Sequence, residues 1–89
     1  MRLELRWEER VPRGLRTLPP ADRRWVTETI LSLVDNPRPP GARPLPGKPQ
    51  WFRLRLGPFA VLYAVHSADS AVTVYAVTRD GEPLSDEGD

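Results

Sequence analysis

The sequence predicts an α+β domain: an N-terminal strand, a helical hairpin, then an antiparallel three-stranded meander with both helices on one face. Three observations carry this. Residues 2–7 alternate between charged and apolar side chains. Residues 20–35 repeat apolar side chains at helical spacing. Residues 51–78 hold three runs rich in β-branched and aromatic residues, separated by short turn sequences.

In chain order, Leu3, Leu5 and Trp7 fall on one side of the first run and Glu4 and Arg6 on the other, the pattern of a half-buried strand. Residues 8–17 predict a short helix weakened by Pro12 and Gly14, with Leu15 and Leu18 docking it on the core. Pro19-Pro20 opens the second helix, where proline is tolerated in the first turn and Asp22 suits the helix dipole. Trp25, Val26, Ile30, Leu33 and Val34 form its buried stripe. Asn36-Pro37 ends it. Residues 37–50 are rich in proline, carry Arg38, Arg43 and Lys48, and read as an extended surface loop.

The meander strands are expected at about 51–56, 59–66 and 71–78. Gly57-Pro58 fits a two-residue type II′ turn, in which glycine supplies the positive φ. Ser67–Ser70 is a second, polar turn. A two-residue turn fixes the pairing, so Leu56 opposes Phe59, Leu54 opposes Val61, and Phe52 opposes Tyr63. With His66 opposite Ala71, the core face adds Val65, Val72, Val74, Ala76 and Thr78. The opposite face then carries Trp51, Arg53, Arg55, Ala60, Leu62, Ala64, His66, Thr73, Tyr75, Val77 and Arg79. On this count Arg53, Arg55 and Arg79 cluster toward one end, a platform for a phosphodiester backbone with aromatics for base stacking. A solvated face of a one-sided sheet accounts for the same arginines. A β-bulge would flip part of the assignment.

Composition narrows the function classes. At 89 residues the chain is one domain, expected over residues 1–79, with residues 80–89 as an acidic, frayed tail. There is no cysteine and one histidine, His66, so thiolate and histidine-rich metal sites are excluded, and no metal or cofactor is expected. No apolar run approaches a membrane span and the N-terminus has no signal-peptide core, so the expected location is cytoplasmic, with no membrane partner. Net charge is +1, but all 13 Lys and Arg lie in residues 1–79, against seven acids there, a net +6. The last ten residues hold five acids and no base. Twelve of the 13 bases are arginine, whose planar fork suits phosphate, although GC-rich coding also enriches arginine.

Several segments resemble one family. Leu31-x-Leu33-x-Asp35-Asn36-Pro37-Arg38-Pro39 resembles the end of the helical hairpin in RelE/ParE toxins, and Pro44-Leu45-Pro46-Gly47 its "x-L-x-G" before the sheet. Trp51–Tyr63 looks like its "yRiRvGdyRvlY" hairpin, and Val72–Arg79 its last strand. The likeness spans about residues 3–79. It implies a type II toxin bound by a cognate antitoxin that wraps it. RelE-like members cleave mRNA on the ribosome without metal; ParE-like members inhibit DNA gyrase. It also implies that basic residues at the places of Arg53 and Arg55 hold the RNA and assist chemistry, with Arg79 keeping part of a basic run. Taken with the face count, the expected RNA-binding residues are Lys48, Trp51, Arg53, Arg55 and Arg79, and the expected catalytic ones Arg53, Arg55, Arg79 and Tyr75, a titrating group on that face. Two departures stand out. Ala60 occupies the place of a family arginine, and no tyrosine follows Tyr75. They leave open an mRNA endoribonuclease, a gyrase inhibitor, or a non-toxic member that only binds its antitoxin. The acidic tail is also a candidate to fold back over the arginines.

Overall fold

The computed structural model describes residues 2–84. Strand β1 (Glu4–Trp7) leads into helices α1 (Arg10–Leu15) and α2 (Pro20–Ser32), followed by β2 (Ala42–Leu45), β3 (Lys48–Leu56), β4 (Phe59–His66), β5 (Ala71–Arg79) and β6 (Glu82–Pro83). The strands form one sheet in the order β1-β5-β4-β3-β2, with β6 also paired to β5. β1 runs parallel to β5; the other pairings are antiparallel. The α+β class, the helical hairpin on one face and the meander are as the sequence predicts.

The core lies between helices and sheet. Val11, Leu15 and Leu18 from the first helical segment and Val26, Ile30, Leu33 and Val34 from the second meet Phe52, Leu54, Phe59, Val61, Tyr63, Val65, Val72, Val74 and Val77. Trp25 departs from the expected stripe: it is 44% exposed, resting edge-on against Phe59 at 6.2 Å. The β3–β4 pairing is as counted, with Leu56 opposite Phe59 and Gly57 at φ +58.

Three expectations need correction. Residues 37–50 are not all loop. Ala42–Leu45 pairs with β3, which itself begins at Lys48. Proline suppresses the strand pattern there, yet Pro44 is tolerated because β2 is an edge strand. The tail is not frayed from Asp80: residues 82–83 pair with β5, the Leu84 N–H donates to the Val77 carbonyl, and Leu84 packs on the core. Residues 85–89, with Asp86, Glu87 and Asp89, lie outside the described residues.

The third correction concerns β5. Its pairing with β4 slips between Leu62 and Tyr63: Tyr63 opposes Val74, but Leu62 opposes Ala76, leaving Tyr75 as an extra residue. A bulged residue interrupts the ladder. Here the Tyr75 carbonyl accepts a hydrogen bond from Arg10 Nε at 2.8 Å. The bulge also divides the outer edge of β5. β1 pairs as far as Val74, and β6 pairs from Thr78 onward. Beyond Tyr75 every side chain is reversed relative to the simple count. Val77 enters the core at 3% exposure, whereas Ala76 and Thr78 move to the open face.

Candidate nucleic-acid interface

The open face of the sheet takes its shape from small residues on the central strand. Trp51 on β3 and Tyr75 on β5 stand on opposite sides of β4, and Ala64, level with Trp51, leaves room between them. Their rings stack at 4.4 Å between centroids, 25° from parallel. Lys48 Nζ lies 5.7 Å from the Trp51 ring centroid. Alternation alone puts Tyr75 on this side, two residues on from Thr73, and the bulge then keeps Ala76 on the same side. Lys48, Trp51 and Tyr75 thus form an aromatic shelf with a cation at its rim, a surface on which a nucleobase can stack.

Arg53 and Arg55 project from the same face of β3, both exposed. Arg53 is level with Leu62 and Arg55 with Ala60. On the outer side, Arg43 of β2 is directly opposite Arg53. Arg43, Arg53 and Arg55, with Gly41, Pro44 and Leu45, line a cavity of about 240 Å³. Among the described residues, no carboxylate pairs with any of these three guanidinium groups; ion pairs involve Arg2, Arg6 and Arg24 instead. Within the described residues, the positive charge is therefore left without a counter-charge.

Arg79 does not join them. The bulge places it opposite Phe59, and its guanidinium lies 5.5 Å from the Phe59 ring centroid, on the helix side. The three-arginine cluster exists, but its third member is Arg43. The sequence count missed it because Arg43 sits in a stretch that reads as loop; its two-residue step from Leu45 was the available signal. His66 is opposite Ala71, at the far end of β4 from Ala60, roughly 20 Å away along the strand. Tyr75 is across β4 from Arg53 rather than Arg55, so the shelf and the arginine cavity adjoin without overlapping. No group of metal-ligating side chains occurs among the described residues, and no helix there is long and apolar enough to cross a membrane.

Elsewhere, Glu4 accepts a hydrogen bond from Arg6 at 3.2 Å, which lowers its carboxyl pKa and raises that of Arg6. Tyr63 is different. Its ring is buried against Phe52, and its pKa is pushed up to about 12 by burial, with Arg38 opposing.

No family model and no curated protein sequence matches the chain. Solved structures do. A chain of the archaeal RelE–RelB complex from Pyrococcus horikoshii OT3 superposes with a TM-score of 0.80 at 26% identity, covering 91% of this chain and 98% of that one. A chain of the toxin–antitoxin complex RelBE2 from Mycobacterium tuberculosis gives 0.75 at 23% identity, with coverage of 89% and 92%. The isolated RelE toxin of E. coli gives 0.73 at 22% identity, with coverage of 86% and 83%. The likeness covers nearly the whole of each chain, and the chain has the fold of the RelE-like toxin superfamily.

Proposed function

We propose that this protein is the toxin of a type II toxin–antitoxin pair and inhibits translation by ribosome-dependent cleavage of mRNA on the open face of the sheet. The observation that carries the reading is the juxtaposition there of Arg53 and Arg55, with no carboxylate among the described residues paired to either, and the Trp51–Tyr75 shelf. The arginines hold the phosphodiester while a base stacks on the shelf. Cleavage by the RNA's own 2′-hydroxyl requires that hydroxyl to lose its proton, the phosphorane to be stabilised and the leaving 5′-oxygen to gain a proton. Arginine serves the second need and, always protonated, not the first. Tyr75, on the same face, is the candidate for proton transfer. Arg79, turned to the helix side, takes no part in this reading. A cytoplasmic toxin neutralised by a cognate antitoxin, as in the complexes its fold resembles, completes the proposal.

A second reading has its own support. Ala60 leaves the centre of the face uncharged, which suits a domain that acts by binding, to gyrase or to its antitoxin alone. Expression without a partner gene separates the readings. Growth arrest with ribosome-dependent mRNA cuts, abolished by Arg53→Gln with Arg55→Gln, is the expected result. Arrest with gyrase-linked DNA damage, or normal growth, would replace the first reading with the second.

A further inference from the structure

Two arginines on the open face oppose each other directly, Arg43 on β2 and Arg53 on β3. Like charges in such positions destabilise a strand pair. Acidic neighbours would relieve the repulsion, yet no carboxylate among the described residues pairs with either one. Arg55 adds a third positive charge two residues along β3. The cavity these side chains line, about 240 Å³, has room for a phosphate group and several waters, since a liquid water occupies roughly 30 Å³. On the other flank of Arg55 stands Ala60, 5% exposed and uncharged. The positive field is therefore displaced toward the sheet edge and away from its centre.

We propose that Arg43 is an RNA-binding residue, and that edge strand β2 forms one wall of a phosphate clamp closed by Arg53 and Arg55 on β3. A phosphodiester between the two strands accepts charge-assisted hydrogen bonds from both sides and removes the repulsion between Arg43 and Arg53. The clamp tracks backbone and reads no sequence. This inference rests on the open-face reading above and extends it to a strand that reading does not use.

The test is binding of a short single-stranded RNA, fully 2′-O-methylated to prevent cleavage, across a range of salt concentrations. Arg43→Gln, Arg53→Gln and Arg55→Gln are compared with Arg24→Gln, which removes the same charge from the outer face of α2. Arg43→Gln is expected to weaken binding about 5- to 10-fold at low salt, equally for different sequences, and to reduce the log–log salt slope by ~0.7, one phosphate contact on a single strand. Arg24→Gln should leave the slope unchanged, and circular dichroism should show all four variants folded. If Arg53→Gln and Arg55→Gln weaken binding while Arg43→Gln matches the parent, the clamp is wrong and the open-face reading stands. If none of the three changes binding, the open-face reading itself is overturned.

Discussion

Tyr63 is 0% exposed, and its hydroxyl donates to the Pro37 carbonyl at 2.7 Å. That bond ties the segment after α2 to the central strand. Tyr63→Phe should cost about 1 kcal/mol, measurable by urea denaturation, because one net hydrogen bond is lost and the ring is kept. Its pKa adds a pH signature. An acid whose pKa rises on folding stabilises fully below its unfolded value and loses that contribution as pH climbs to the folded one. For Tyr63 the window runs from 10.0 to about 12. Stability should fall across that window in the parent, and less in Tyr63→Phe. At this scale the sequence was legible wherever a turn fixed the count. Arg53 and Arg55 follow from the two-residue Gly57-Pro58 turn. Arg79 does not, because an unpaired residue intervenes with no glycine or proline to mark it.

Helix α1 is short and includes a residue that normally weakens helices. A Cβ at Gly14 would come within 2.7 Å of Leu84 Cβ and 3.2 Å of its carbonyl oxygen. The helix thus gives up propensity so that the chain after β6 can lie against it. In an open helix, Gly→Ala stabilises by about 1 kcal/mol. Here Gly14→Ala should destabilise by about 1–2 kcal/mol through overpacking. In a chain cut after Arg79 the same substitution should become neutral or stabilising, and thermal melts of the four proteins in this cycle decide it. From sequence, Gly14 reads only as a helix weakener, because its partner lies seventy residues away. β2 was hidden for a different reason. Its proline, Pro44, is acceptable only at an edge, and the edge position is a property of the assembled sheet.

Charge is a property of the whole molecule. The chain carries +1 in total, yet residues 1–79 carry +6 and the last ten residues are acidic. Cutting the chain after Leu84 removes Asp86, Glu87 and Asp89 while keeping β6 and the Leu84–Gly14 contact. If the acids screen the arginine face, the shortened chain should bind RNA several-fold more tightly at low salt, with the difference fading near physiological ionic strength, where the screening length is about 8 Å. Equal affinities at low salt would remove any role for these acids. The class, the hairpin and the core could be read from periodicity, which reports local burial. The full sheet could not: β2 and β6 pair with their chain neighbours across short turns, but each is short and carries a proline, which hides the strand pattern.

The extra residue at Tyr75 bears on how relatives are compared. Correspondence by spacing from the β3–β4 hairpin is sound as far as Val74. Past it, a relative lacking the insertion would show on its open face the residues that this chain turns toward its helices. An arginine conserved in alignment column would then differ in the surface it serves. Gaining or losing one residue at this point exchanges two surfaces at once, so the bulge must be located before a role is transferred to anything that follows it.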